Sequence, residues 1–276
     1  MIRSFWGIFV IFLGNSRLSY TAWEIDLEYH KGERQELTPY ESQIFEDGPV
    51  SGVVNRYAFS ESTIEQHIVL LPGVNTLYFH TRVNWHENDR MLRVEFSPSV
   101  WGDEVICEIQ NGEIRRTTHD ESPVEKTQFE ICARRYVTVY DGEYGFSLIN
   151  DCKYGLRAKN GMISLNMLRS TSYPDESADR GEHEFIYAFV PHRAAERMEA
   201  VRLAHNLNRL PFHYSGREVT PIVNVSGDVV ADSVKESMDG KGIVVRLYEP
   251  IARRPLHRLL CPLPTPRCMS ARLWRR

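Results

Sequence analysis

The stretch LINDCKYGLRAKNGMISLNMLRSTSYPDESADRGEHEFIYAFVPH, residues 148–192, combines short strand patterns with long polar loops. Within it, GMISLNML (residues 161–168) alternates larger apolar residues with small or polar ones, which is the period of a half-buried β-strand. Asn160-Gly161 precedes this run, and Asn-Gly dipeptides supply the positive φ angles of tight hairpins. The stretch therefore predicts antiparallel strands joined by short turns and interrupted by one long polar loop.

The same rhythm continues toward the N-terminus. The runs VVNRYAF (53–59), STIEQHIVLL (62–71) and TLYFHTRVNW (76–85) alternate in the same way, and further runs follow at intervals of about ten to fifteen residues. Asn111-Gly112 and Asp141-Gly142 mark two more hairpins. The prediction is an all-β fold, a large antiparallel β-sandwich.

A helix and a smaller β-subdomain are predicted after this sandwich. RAAERMEAVRLAHNLNRL (193–210) clusters Met198, Val201 and leucines on one face, and Pro211 stops it. Strands are predicted at 229–236 and 243–248. The predicted divisions are an atypical apolar segment (1–21), the sandwich (22–192), the helix with the small subdomain (193–249) and an Arg/Pro-rich tail (250–276).

Both ends differ from the middle of the chain. The apolar run at residues 5–13 is too short for the roughly 20 residues of a membrane span. It resembles a signal-peptide core or, alternatively, sequence foreign to the domain. The tail has seven arginines, four prolines and no helix or strand period, which predicts irregular structure, either a basic tail or sequence from a shifted reading frame.

Composition excludes several classes of function. The chain has 276 residues, 42% hydrophobic and 25% charged, as in an ordinary globular protein. Before the arginine-rich tail there are 26 Lys and Arg against 37 Asp and Glu, and this acidic balance disfavours a nucleic-acid partner. Five cysteines without a CxxC pair disfavour a disulfide framework. Cys107 and Cys132 lie in strand patterns and are predicted to be buried.

Three segments together resemble one enzyme family. They are the opening stretch, NWHENDRMLRVEF (84–96) and GIVVRLYEP (242–250). From about Trp23 to Glu249 the chain resembles the C-terminal β-domain region of the glycoside hydrolase family 38 α-mannosidases. The resemblance implies a zinc-dependent retaining hydrolase that removes α-linked mannose from glycans or oligosaccharides. It also implies that the α/β catalytic domain, with its zinc ligands and nucleophile, normally lies upstream.

The sequence contains no recognisable catalytic motif of its own. His183-Glu184 lacks the second histidine of HExxH, and His86, His119 and His192 are isolated. We therefore expect no cofactor in this chain, with zinc belonging to the intact family enzyme, and no catalytic residue. We expect the chain to be inactive alone and its partners to be an α-mannoside and the missing catalytic domain.

The resemblance suggests which loop residues approach substrate. It places an arginine after the strand that here ends at Leu168-Arg169, before the loop that carries Asp179, Arg180 and Gly181. A guanidinium suits this role because its fork binds vicinal hydroxyls or a carboxylate in fixed geometry. The alternative is that Arg169 and Asp179 form an internal ion pair that fastens the loop.

A second candidate cluster is the turn at residues 150–155, which supplies Asp151, Lys153 and Tyr154. Loop residues beyond strand ends often form sites, although Asp151 and Lys153 are also suited to capping the turn. Trp85, Trp101 and Tyr154 are candidates for stacking on sugar or, alternatively, core residues.

Two alternatives to the mannosidase interpretation stay open at this point. One is a stand-alone carbohydrate-binding β-sandwich, and the other is a truncated, non-functional fragment. The odd number of cysteines favours the cytoplasm, whereas a signal function of residues 5–13 would favour a secreted or vacuolar protein.

Overall fold

The architecture comes from a computed structural model, which describes residues 7–13, 20–209, 215–216, 223–251 and 258–260. The chain divides into two compact units, Met1–Leu210 and Pro211–Arg276. The division falls after the helical segment rather than before it. The helix that the sequence analysis grouped with the small subdomain packs on strands of the first unit.

Strands dominate the described residues and confirm the all-β prediction. They are β1 (Ile8–Leu13), β2 (Arg34–Glu36), β3 (Glu41–Asp47), β4 (Val50–Phe59), β5 (Ser62–Leu70), β6 (Leu77–Trp85), β7 (Arg90–Phe96), β8 (Glu104–Ile109), β9 (Gly112–Thr117), β10 (Ile131–Cys132), β11 (Tyr136–Asp141), β12 (Tyr144–Asn150), β13 (Gly155–Lys159), β14 (Met162–Leu168), β15 (Gly181–Arg193), β16 (Asn224–Ser226), β17 (Val230–Glu236), β18 (Ile243–Tyr248) and β19 (Arg258–Leu260).

The first unit is an antiparallel sandwich. One sheet has six strands in the order β10-β13-β14-β7-β1-β2, and the other has nine in the order β3-β4-β5-β6-β15-β12-β11-β8-β9. Aromatic rings fill the space between them. Phe79 stacks on Tyr187 with ring centroids 5.0 Å apart, and Phe189 stacks on Phe146 at 4.9 Å. Such pairs stabilise beyond the area that they bury.

The apolar run at the N-terminus is a strand in the interior of the six-stranded sheet. β1 pairs with β7 on one side and β2 on the other, and Phe9, Val10, Ile11 and Phe12 are buried. A strand that is covered on both faces needs no polar alternation. Residues 8–13 of the segment that the sequence analysis set apart thus form an interior strand of this sheet.

The predicted hairpins are confirmed. Asn111 joins β8 to β9, Gly142 joins β11 to β12, and Asn160-Gly161 joins β13 to β14, all with positive φ. The positive φ angles at Asn160 and Gly161, 53° and 72°, give the twist that a two-residue hairpin needs.

Two α-helices lie among the described residues, α1 (Pro123–Thr127) and α2 (Arg197–Leu207). Helix α2 follows a short 3-10 turn at Ala194–Glu196 and buries Met198 and Val201, as the sequence pattern predicts, whereas Leu203 and Leu207 are half-buried. Leu210 and Pro211 lie outside the described residues. Helix α1 was not predicted because it buries no residue, although its capping box of Ser122 and Glu125 is visible in the sequence.

The second unit contains two small antiparallel sheets, β17 with β18 and β16 with β19. β17 and β18 match the predicted strands, and Gly240 in the turn between them has a φ of 66°. β19 lies in the Arg/Pro-rich tail, where no strand was predicted. Its backbone pairs with β16 over three positions.

Of the two cysteines predicted to be buried, one is buried and one is exposed. Cys107 is buried, as expected, and burial raises the pKa of its thiol to about 12. Cys132 is exposed, because it ends the two-residue edge strand β10, so its predicted burial is wrong. No helix among the described residues is long and apolar enough to cross a membrane.

The position of β1 gives a test of the fold. Phe9 is fully buried and meets Tyr57 edge to face at 5.2 Å. We expect Phe9→Ala to lower the free energy of unfolding by about 3–5 kcal/mol, the range for truncating a buried aromatic side chain. Urea unfolding of the purified chain measures this change.

Ile44→Ala is the matched control, because Ile44 is 78% exposed on the edge strand β3. The control should change the free energy of unfolding by no more than about 0.5 kcal/mol. Equal, small effects of both substitutions would contradict the placement of β1 in the core.

Candidate functional site

The long polar loop between β14 and β15 is fastened by one carboxylate. Asp179 Oδ2 accepts hydrogen bonds from the backbone N–H groups of Arg169 (2.8 Å) and Ser170 (3.0 Å). Ser170 and Asp179 both have left-handed backbone conformations, with φ angles of 49° and 64°. Non-glycine residues adopt this region at a cost, and the two hydrogen bonds offset that cost here.

A side chain of the sandwich core also forms a hydrogen bond to this loop. The fully buried Trp85 donates its indole N–H to Ser170 Oγ at 2.5 Å. The backbone N–H of Asp89 donates to Ser170 O, and the His183 ring contacts Asp179 O at 2.8 Å. The start and the end of the loop are thus both attached to the sheets.

The predicted ion pair between Arg169 and Asp179 is not what fastens the loop. Asp179 binds the backbone of Arg169, while the guanidinium Nη2 donates to Glu24 O at 2.6 Å. Arg169 Nε is buried and has no hydrogen-bond partner within the protein. Burial lowers the pKa of this guanidinium, which still leaves it charged at neutral pH.

The turn after β12 is held by hydrogen bonds of the same kind. Asn150 is buried, and its side-chain oxygen accepts the N–H of Lys153 at 2.7 Å. Asp151 Oδ2 accepts the N–H of Ile186 at 2.9 Å. Asp151 thus binds the backbone of the neighbouring strand β15, while the side chain of Asn150 caps the turn. Asp151 Oδ1 is buried and without a hydrogen-bond partner.

Four of the six predicted site residues line one cleft, of about 340 Å³, between this turn and the long loop. The lining residues are Ala22, Cys152, Lys153, Tyr154, Gly155, Asn166, Met167, Leu168, Arg169, Thr171 and Asp179. Asp151 and Arg180 are not among them. Arg180 turns to Asn88, whose side-chain oxygen accepts two of its hydrogen bonds.

The polar groups of the cleft are suited to binding rather than to covalent chemistry. Lys153 Nζ lies 4.9 Å from the centre of the Phe185 ring, and Tyr154 is half exposed. Desolvation and the neighbouring Asp151 carboxylate raise the pKa of the Cys152 thiol to about 12, so it stays protonated at neutral pH. A protonated thiol is a poor nucleophile.

No group of three His, Cys, Asp or Glu among the described residues is arranged to hold a metal ion. Two of the isolated histidines have partners. His119 contacts Asp103 at 3.1 Å, and His192 contacts Ser147 Oγ at 2.8 Å. The described residues therefore do not fit a zinc ion, and no step through zinc is assigned to them.

The three aromatic residues considered for stacking on a sugar differ in their exposure. Trp85 belongs to the core, whereas Trp101 and Tyr154 are 65% and 50% exposed. The sequence reasoning missed a second exposed group, formed by Tyr20, Trp23 and Tyr173. The signal for it was present, since three large aromatics stand in polar loops without any strand period.

Comparison with known families identifies the family of this chain. The sequence model of "Glycosyl hydrolases family 38 C-terminal domain" matches residues 6–177, well over half of the chain. The chain belongs to glycosyl hydrolase family 38. The match includes β1, so the expectation that the N-terminal run is foreign to the domain is wrong.

Individual relatives of the family 38 chain agree with this assignment. Human Alpha-mannosidase 2C1 is 34% identical over 198 residues, which is 68% of this chain and 19% of that protein. Alpha-mannosidase G of Dictyostelium discoideum is 30% identical over 223 residues, or 75% of this chain and 20% of that protein. The chain thus spans about one fifth of the length of these curated relatives.

A solved structure supports the fold of the family 38 chain. An alpha-mannosidase from Enterococcus faecalis V583 superimposes with a TM-score of 0.75 at 15% identity. The superposition covers 92% of this chain and 34% of that one. At this identity the likeness establishes the shared architecture alone.

Proposed function

We propose that this chain is the β-domain portion of an α-mannosidase and that it contacts an α-linked mannose residue through the Arg169 cleft. The observation that carries the proposal is the state of Arg169, a charged side chain with an unpartnered buried Nε, at a cleft also lined by Lys153 and Tyr154. The names of the matching relatives, all alpha-mannosidases, support the choice of sugar.

The geometry of Arg169 suits recognition of a sugar. A guanidinium presents five N–H donors in a planar fork, and one of them is already fixed on Glu24 O. This contact, with the backbone clamp from Asp179, positions the rest of the fork before any ligand arrives. Pre-positioned donors lose little conformational entropy on binding.

The hydrolytic chemistry itself is proposed to reside elsewhere. A glycosidase that retains the anomeric configuration requires two carboxyl groups about 5–5.5 Å apart, one of them a nucleophile. The two carboxylates nearest the cleft, Asp151 and Asp179, each accept backbone N–H groups, which favours structural roles. We therefore propose that zinc and the nucleophile belong to a catalytic domain that this chain completes as a partner.

A stand-alone carbohydrate-binding β-sandwich is the second candidate, favoured by the exposed aromatic side chains around the cleft. Both candidates predict mannoside binding through Arg169. They differ in whether the cellular protein is longer than this chain, which the intact mass of the endogenous protein decides.

The role of Arg169 is testable with the purified chain. We expect methyl α-mannoside to bind with a millimolar dissociation constant, measured by titration followed by NMR. Arg169→Met should weaken binding at least about tenfold, because a hydrogen bond from a charged donor contributes about 1.5–3 kcal/mol. Unchanged affinity in a variant that unfolds at the wild-type temperature would contradict the proposal.

Arg115→Met is the matched control for this substitution. Arg115 is an exposed arginine on β9 that pairs with Glu104, and it does not line the Arg169 cleft. Its replacement should leave the affinity for the mannoside unchanged.

The proposed absence of activity has a direct assay. The purified chain should release no detectable aryl alcohol from an aryl α-mannoside, with or without added zinc, because Asp151 and Asp179 beside the Arg169 cleft are bound to backbone N–H groups. Zinc-dependent hydrolysis by the chain alone would overturn this expectation. A longer family 38 α-mannosidase serves as the positive control.

A further inference from the structure

Three large aromatic side chains form a surface cluster that the Arg169 cleft does not include. Tyr20, Trp23 and Tyr173 are 53%, 67% and 49% exposed. Their ring centroids lie 5.7–6.2 Å apart. We call this group the aromatic platform. Exposed apolar groups of this size commonly mark a binding surface.

The rings of the platform meet edge to face or at a tilt, and none of the pairs is stacked face to face. The interplanar angles are 68° for Tyr20 with Trp23, 76° for Tyr20 with Tyr173 and 56° for Trp23 with Tyr173. Face-to-face stacking would have buried the ring faces. The tilted arrangement leaves ring faces available to a ligand.

Backbone hydrogen bonds fix the platform in place. Thr21 Oγ1 accepts the N–H groups of Ser172 (3.0 Å) and Tyr173 (2.9 Å), and the N–H of Ala22 donates to Tyr173 O. The N–H of Trp23 donates to Tyr20 O at 3.0 Å. Two loops far apart in sequence are thereby joined, so the three rings are positioned before a ligand binds.

The platform is continuous with the Arg169 cleft. Ala22, the neighbour of Trp23, lines that cleft together with Arg169 and Thr171. Glu24, on the other side of Trp23, accepts the hydrogen bond from the Arg169 guanidinium. A ligand that reaches Arg169 and extends toward Ala22 therefore passes beside the platform.

We propose that the aromatic platform is a second sugar subsite, on which Trp23 and its two tyrosines stack against the next residue of an α-mannoside oligosaccharide. The inference rests on the proposed function, because it assumes that a first sugar lies at Arg169. Rigid aromatic side chains suit this task, since they offer a large apolar face at low conformational cost and carry a polar edge that stays in water.

The chemistry of the surroundings favours a neutral glycan. The pocket that Glu24, the neighbour of Trp23, helps to line has three acids, Glu24, Asp26 and Asp89, and one cation, Arg169. The carboxylates accept hydrogen bonds from sugar hydroxyls, and the guanidinium donates hydrogen bonds to them. The carboxylates would also repel an anionic ligand. A protein surface is the competing occupant, which the following experiment separates.

The test compares two ligands on the 276-residue chain. Methyl α-mannoside probes the first sugar alone, and a linear α-linked mannotriose probes both positions. We expect the wild type to bind the trisaccharide about fivefold to tenfold more tightly, the gain expected of one aromatic stacking contact. Trp23→Ala should abolish this gain and leave the affinity for methyl α-mannoside unchanged.

Two further variants keep the result interpretable. Trp101→Ala removes a tryptophan of almost equal exposure, 65%, that does not line the Arg169 cleft, and this variant should still bind the trisaccharide more tightly than the monosaccharide. Trp23→Phe keeps a ring and should recover part of the gain. Thermal unfolding of each variant confirms that the chain is folded.

The outcomes distinguish the two proposals. If neither ligand binds the wild type, the proposed function fails, and the inference fails with it. If methyl α-mannoside binds but the trisaccharide gains nothing, or if Trp23→Ala keeps the full gain, the second subsite is refuted while the Arg169 site stands. The platform would then be assigned to contact with protein.

Discussion

The hydrogen bond from the Trp85 indole to Ser170 joins the core of the sandwich to its loop surface. Trp85 is fully buried at the end of β6, so its donor needs a partner within the protein. Ser170 supplies that partner from a left-handed backbone conformation. Asp179 stabilises this conformation by accepting the N–H of Ser170. The packing of the core therefore determines where Arg169 lies.

A second set of buried polar contacts links β1 to the segment that carries the aromatic platform. Tyr29 meets Phe12 edge to face at 5.4 Å and donates to Glu130 at 2.5 Å. Glu130 in turn pairs with Arg93, which is fully buried beneath it. A buried ion pair specifies position more than it stabilises. Here it fixes Tyr29, six residues beyond Trp23, against the six-stranded sheet.

Local patterns in the sequence predicted the strands and hairpins of the sandwich well. Alternation in β5 and β6 and the Asn160-Gly161 turn are properties of neighbouring residues, and they can be read directly. The strand β1 was not predicted, because burial on both faces gives a continuous apolar run, which is also typical of a signal peptide. The exposure of Cys132 was not predicted, because whether a strand lies at a sheet edge depends on its pairing with strands that are distant in the sequence.

The candidate site was predictable in its residue types but not in its bonding. The sequence identified Arg169 and Asp179 as related, but whether a carboxylate binds a side chain or a backbone depends on loop geometry. Asp151 and Arg180 illustrate the same limit, since each finds a partner, Ile186 and Asn88, far away in sequence. The platform depends on Thr21 joining two loops, which no local pattern encodes.

Hydrogen–deuterium exchange of the chain with and without mannotriose shows whether an α-mannoside binds in the cleft lined by Arg169 and Lys153. We predict slower exchange in residues 20–24, 152–155 and 169–179, and no change in the β8–β9 hairpin on the far edge of the nine-stranded sheet. Unchanged exchange in all three segments under saturating sugar, or protection confined to other parts of the chain, would contradict the account.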